Sequence, residues 1–242
     1  MTSLQGSTPT PARRRRRSAD QLPDDTRTVE FHEVFAAALA GATCSVIGDA
    51  VGEQQLPMAR WAGEADDSDD TLLALCEGPT LDVGCGPGRM ASRLAELGHV
   101  VLGVDIVAAA VRRTRDRGVS AIQRDLFERL PGEGRWQTAL LADGNIGIGG
   151  DPVTLLARMV ELVTPGGHVI VEAAPPGGGL QVHEVRLQAG QLQSSPFPWA
   201  VLAVDHVEHL VRDLPLELTE IHRIGRGENS RWVAALTRED EQ

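Results

Sequence analysis

From Pro79 onward the chain alternates between short apolar runs and amphipathic stretches, and this alternation restricts the fold more than any other feature of its 242 residues. Thr80-Leu81-Asp82-Val83 reads as a buried strand, residues 88–97 as a helix with Met90, Leu94 and Leu97 on one face, and 99–105 (HVVLGVD) as a second strand. A helix over 108–118 closes on Gly118, and strands follow at 119–125 and 136–143. Asp151 and Pro152 suit the N-cap and first turn of a helix that runs to about Val163 and stops at Thr-Pro-Gly-Gly, before a strand over 168–173. This order predicts an α/β fold, a doubly wound and mostly parallel sheet with helices on both faces. Residues 217–225 and 230–238 also read as strands. Only four residues separate them, too few for a parallel crossover, so they must be antiparallel.

The segments before Pro79 differ in character. Residues 1–27 carry six arginines against three aspartates, five of the arginines consecutive at 13–17, among Ser, Thr and Pro; they read as a disordered Arg-rich tail. An export signal would need an apolar stretch after the arginines, and Ser-Ala-Asp-Gln-Leu-Pro-Asp-Asp is the opposite. Residues 28–78 read as an N-terminal helix and hairpin cap. The helix covers 29–40, with Val29, Phe31, Val34, Phe35 and Leu39 as its apolar stripe; the hairpin turns around Gly48-Asp49 and Gly52, with Pro57 confining its second strand to an edge. The acidic patch Asp66, Asp67, Ser68, Asp69, Asp70 reads as a solvated helix N-terminus, with metal binding as the alternative. Residues 79–242 form the main domain.

Between the first strand and its helix lies Gly84-Cys85-Gly86-Pro87-Gly88. In a doubly wound sheet, a ligand meets the carboxyl ends of the strands at such a loop, because glycine permits sharp turns and close approach, and the next helix offers free N–H groups. Asp105, at the end of the second strand, can accept hydrogen bonds from vicinal ribose hydroxyls. Counted from Gly84, a dinucleotide fingerprint fails at Arg89; counted from Gly86, it is satisfied by Ala91. The loop alone therefore leaves a nicotinamide-dependent oxidoreductase open. A P-loop is excluded, since no Gly-Lys-Ser/Thr follows.

Residues 81–88, LDVGCGPG, resemble the first motif of class I S-adenosylmethionine-dependent methyltransferases, and the resemblance extends from about Pro79 to Arg238. It runs through Gly103-Val104-Asp105, Arg124-Asp125-Leu126, 140–145 and 165–172. The segment 140–152 resembles a subgroup of uncharacterised actinobacterial proteins, and the absence of lysine and tyrosine fits a GC-rich genome. The resemblance implies a Rossmann-like, seven-stranded sheet with an antiparallel C-terminal strand, and S-adenosyl-L-methionine as cofactor. It further implies that Asp82, Gly84, Cys85, Gly86 and Gly88 hold the amino-acid end of the cofactor. By the same resemblance Asp105 binds the ribose beside Ile106, Asp125 and Leu126 meet the adenine, and Asp143, Gly144 and Asn145 flank the transferred methyl.

No catalytic base and no metal site is nominated by the sequence. Asp143-Gly144-Asn145-Ile146 departs from the Asn/Asp-Pro-Pro-aromatic tetrad of enzymes that methylate nucleic-acid bases, and −14 charges outside the tail argue against a nucleic-acid partner. The expected acceptor is a small molecule; a non-catalytic cofactor-binding regulator or scaffold is the rival reading. No apolar run is long enough to span a bilayer, and three unpaired cysteines, Cys44, Cys76 and Cys85, suit a reducing, cytoplasmic compartment. His206 and His209, one helical turn apart, have metal-ligand spacing without a third ligand, or could assist acid–base chemistry. Pro196-Phe197-Pro198-Trp199 reads as a loop, either capping the core or walling an acceptor pocket, beside a hairpin over 181–193 that turns at Ala189-Gly190. That hairpin and the 28–78 segment are expected to roof the acceptor site together.

Overall fold

The computed structural model describes residues 26–49, 52–227 and 230–240; almost all of the arginine-rich tail lies outside them. In chain order the first elements are β1 (Arg27–Val29), α1 (Phe31–Leu39), β2 (Cys44–Gly48), β3 (Gly52–Gln55), α2 (Met58–Trp61) and α3 (Asp67–Leu73). Next come β4 (Thr80–Val83), α4 (Arg89–Glu96), β5 (Val101–Asp105), α5 (Ala108–Asp116), β6 (Ala121–Gln123), β7 (Trp136–Leu141), α6 (Pro152–Leu162) and β8 (Val163–Ala173). The last are β9 (Leu180–Ala189), β10 (Leu192–Ser194), β11 (Phe197–Leu202), α7 (Val207–Val211), β12 (Leu216–Ile224) and β13 (Arg231–Arg238).

Seven strands form the main sheet in the order β12-β13-β8-β7-β4-β5-β6. The pairs β6–β5, β5–β4, β4–β7 and β7–β8 are parallel, whereas β13 is antiparallel to both β8 and β12. The closing strands are thus antiparallel to each other as expected, and β13 alone runs against the rest. Successive side chains of a strand serve opposite faces. On β7, Ala139 and Leu141 join the core under α6 and α7, while Leu140 joins the core under α3 and α4. Asp151 caps α6 by accepting from the N–H groups of Val153 and Thr154, with Pro152 in the first turn.

A second sheet gathers strands far apart in sequence, in the order β1-β10-β9-β2-β3, with β11 also on β9. Its core is Val34, Ala38, Cys44, Leu187 and Ala189, so α1 is seated against β9 and β2, and Leu39 reaches Val107 and Ala110 of the main fold. Two expectations need correction. Val29 belongs to β1, because Glu30 takes an extended conformation and starts the helix at Phe31. The 196–199 segment is largely strand: β11 runs antiparallel to β9 as an edge, where Pro198 lacks no needed donor. The 181–193 hairpin forms with Ala189 opposite Leu192.

Candidate functional site

The glycine loop sits at the carboxyl end of β4, and its three glycines are all left-handed, at φ +69°, +53° and +87°. Each has its own reason. A Cβ on Gly84 would lie 2.7 Å from Asn145 Nδ2, and one on Gly88 would lie 2.9 Å from the Thr114 Cα. A Cβ on Gly86 would meet nothing within 4 Å. Gly88→Ala is therefore expected to lower stability by more than about 2 kcal/mol, because strain is joined by a backbone clash. Gly86→Ala costs about 1 kcal/mol from conformation alone, yet it obstructs the loop mouth. Thermal unfolding beside ligand titration separates the two.

Asp105 receives the Gly86 N–H on Oδ2 (2.9 Å) and the Val107 N–H on Oδ1 (2.7 Å), which ties β5 to the loop. Burial raises its carboxyl, and these bonds restrain the rise. Ile106, beside it, is 54% exposed, a large apolar side chain open to a ligand's face. The Cys85 thiol points away into the fold: a Cβ on Gly103 would lie 2.8 Å from Sγ, so the two residues fit each other, and burial keeps the thiol well above its ordinary value. Only the main chain of Cys85 faces the loop's work.

Asp82 lies beneath the loop, 2% exposed. It accepts from the Ala91 N–H, while Oδ2 has no partner among the described residues. Burial, reinforced by the neighbouring Asp143, pushes its carboxyl up to about 7.

Asp143 is the one non-glycine residue at positive φ (+51°) among those described. Its carboxylate is gripped by Arg89 Nη2, at 2.8 and 2.6 Å. Its N–H donates to Glu172 Oε2 at 2.7 Å. Arg231 forks Glu172 with Nε and Nη2, both at 2.7 Å, and sends Nη1 to Asp69 at 2.6 Å. Asp69 in turn pairs with Arg89 Nη1. Five residues from five separate parts of the chain thus close a ring. Asp69 and Arg89 are almost fully buried, so the solvated-cap reading fails for Asp69. Burial works to raise Asp69, but the two guanidiniums and the Asp66 N–H hold it below its ordinary value. The rest of the patch behaves as a cap: Asp66 accepts from the N–H groups of Ser68 and Asp69, and Asp70 pairs with Arg93 at 2.7 Å.

Asn145 acts on the loop through Nδ2, which donates to the carbonyls of Val83 (2.8 Å) and Gly84 (3.0 Å). Gly144 is left-handed, with open space where a Cβ would point. At the end of β6, Asp125 accepts the Phe127 N–H and stays exposed, while Leu126 is buried. Sequence reasoning brought Asp82, the loop, Asp105 and Asp143–Asn145 to one place, and they are there. It missed Arg89, Asp69, Glu172 and Arg231 as a set. One signal was available: Arg89 is the first residue of α4, where the helix dipole disfavours a cation, so a carboxylate partner is required.

His206 and His209 lie 5.1 Å apart between ring centroids with their planes tilted by 50°, and no cluster of three or more potential ligands able to hold a metal exists among the described residues. Phe197 packs edge-on against Phe31 and Trp199, and Trp199 lies against Gly147, joining the second sheet to the turn after Asn145.

Residues 80–167 match a family described as methyltransferase domain. Uncharacterised methyltransferases of Mycobacterium tuberculosis and Mycobacterium bovis are each 36% identical over 107 residues, covering 42% of this chain and 53% of theirs. The chain thus spans about half the length of the curated relatives it matches. In three dimensions the chain shares the fold of an S-adenosylmethionine-dependent methyltransferase from Bacteroides fragilis (TM-score 0.73, 22% identity, 89% of this chain and 99% of that one). It also shares the fold of a 1,6-didemethyltoxoflavin-N1-methyltransferase from Burkholderia thailandensis (TM-score 0.56, 21% identity, 92% and 97%).

Proposed function

We propose that the chain transfers the methyl group of S-adenosyl-L-methionine to a small-molecule acceptor. The carrying observation is the unpartnered Asp82 Oδ2, buried under a glycine loop whose central glycine has open space where a side chain would stand. A buried carboxylate oxygen without a donor calls for a cation, and the cofactor's ammonium supplies one. In this reading the 84–88 backbone lies along the amino-acid end. Asp105 keeps lone pairs for two ribose hydroxyls, Ile106 and Leu126 flank the adenine, Asp125 takes its amino group, and Asp143–Asn145 border the methyl.

The sulfonium supplies a methyl carbon already activated, so the chain's task is to align a nucleophile with it. Asp143 is the best-placed carboxylate, but Arg89 occupies both its oxygens, and it is a poor general base. An acceptor with its own lone pair, or one that ionises readily, fits such a site. The same occupancy favours a second reading, a cofactor-binding protein without turnover. Among the described residues no helix is long and apolar enough to cross a membrane. The free, buried Cys44, Cys76 and Cys85 support a reducing cytoplasm, and the charge of −11 supports an acceptor other than nucleic acid.

Calorimetric titration with S-adenosylhomocysteine and, separately, NADH tests the reading. Micromolar binding of the first alone is expected, weakened at least tenfold by Asp105→Ala. NADH binding instead sinks the proposal. Binding without methyl transfer to any acceptor in a broad panel selects the second reading.

A further inference from the structure

The edge of the main sheet carries a second concavity. Strand β6 has only three residues and no partner on its outer side. The residues after it, Arg129 to Arg135, curl back toward this edge and border an open groove of about 760 Å³, within the range of small-molecule sites. Four arginines line it: Arg115 from α5, Arg124 following β6, and Arg129 and Arg135 from the curl. None makes an ion pair among the described residues, unlike Arg60, Arg93, Arg117 and Arg158 but like the exposed Arg112, Arg113, Arg212 and Arg223, so what distinguishes the four is their convergence on one concavity. The lone acid in the lining, Glu133, is committed to the Leu130 N–H (2.9 Å) and to Arg158.

Charges that only guard a sheet edge against pairing need to point into solvent. All four are exposed, but two are tethered at the edge rather than left free. Arg115 Nε donates to the Ala121 carbonyl at 2.9 Å, and Arg124 Nη1 to the Arg129 carbonyl at 3.0 Å. Neutral carbonyls hold these guanidiniums in place without cancelling their charge, so further N–H groups remain for a ligand. Fixed guanidinium forks match the oxygens of phosphate in pairs. Like charges converging in one groove repel each other unless an anion joins them. The rest of the molecule is acidic, with a net charge of −11 overall, so this positive concavity stands apart from its surroundings.

We infer that the groove between β6 and residues 129–135 binds a soluble polyanion bearing two or more adjacent phosphate groups. The ligand sits on the outer edge of the sheet, apart from the glycine loop at the end of β4, and makes no demand on the methyl-transfer reading.

Titration of the full-length protein with sodium tripolyphosphate at low ionic strength tests this directly. Saturable one-to-one binding is expected, weakened at least tenfold by the double change Arg129→Ser and Arg135→Ser. It is expected to persist in Arg112→Ser, an exposed α5 residue outside the lining, and when the arginines at 13–17 become serines. Circular dichroism establishes that each variant is folded. Equal affinity in the double variant and the parent, absence of saturation, or loss of binding only with the 13–17 replacement would each overturn the inference.

Discussion

Replacing Arg89 by methionine is expected to cost about 3–5 kcal/mol of folding stability, because it removes one partner of a buried charge system and leaves the others. Asp69 and Asp143 both bond this guanidinium, and Asp69 and Arg89 are among the least accessible charged side chains in the molecule. Methionine conserves volume, so packing loss is small and the deficit reports the orphaned carboxylates. Its pH dependence follows from their titration. Burial already raises Asp143 while Arg89 restrains it. Without Arg89 the raised Asp143 rises further, and Asp69 climbs from its depressed position. An acid whose folded-state pKa is raised contributes stability at low pH that is lost as pH climbs through that pKa. The deficit is therefore expected to be smaller at pH 5 than at pH 8. Urea unfolding of both proteins at the two pH values measures it; an equal deficit would locate the cost in packing instead.

Cofactor affinity should also depend on pH, through Asp82. With its carboxyl raised to about 7, the ligand-free protein carries a mostly neutral Asp82 at pH 5.5 and a mostly ionised one at pH 8. Pairing with an ammonium requires the ionised form, so binding below pH 7 must release a proton. The dissociation constant for S-adenosylhomocysteine is then expected to rise about thirty-fold between pH 8 and pH 5.5. Asp82→Asn should flatten this profile and bind weakly at both ends. In the ligand-free protein the same change has the opposite sign for stability. The raised pKa makes Asp82 a contributor fully present below pH 4 and lost as pH rises through 7, so an amide that never ionises is more stable at pH 8. A shift of about three units bounds that gain at about 4 kcal/mol. Calorimetry in buffers of different ionisation enthalpy counts the released proton; a pH-independent affinity would remove Asp82 from the ammonium site.

Local pattern made the main sheet legible. Most of its strand and helix positions could be read because each element carries its own periodicity, although β8 starts at Val163 and runs through the expected stop at Thr-Pro-Gly-Gly, and the four-residue link between the last strands dictated their direction without any knowledge of partners. The second sheet was legible only in pieces. The hairpin at Ala189-Gly190 has a local turn signal, but the pairing of Arg27 with Leu192, or of Cys44 with Ala189, leaves no trace in either segment alone. Val29 and Trp199 were misplaced for this reason: a residue that is apolar and next to a helix, or just after a proline, becomes strand only when a distant partner is supplied. The same limit hid the charge ring. Asp69 looked like one acid among four in a cap, and it truly occupies a cap, yet the arginines that bury it lie 20 and 162 positions away.

The place of β13 has a consequence for the order in which the protein is made. Of the described strands it is the last to be synthesised, but it is not at the sheet's margin; it is inserted between β8 and β12. Until it arrives, β8 exposes an open edge, β12 has nothing to join, and Glu172 and Asp69 lack the Arg231 that neutralises them. Strand β2 likewise waits for β9, synthesised some 140 residues later. Contacts of such long range delay folding until their loops have closed. The nascent chain therefore emerges with Glu172 unpaired and Asp69 held by Arg89 without Arg231, and a single late insertion both locks the sheet and brings the second arginine into the ring.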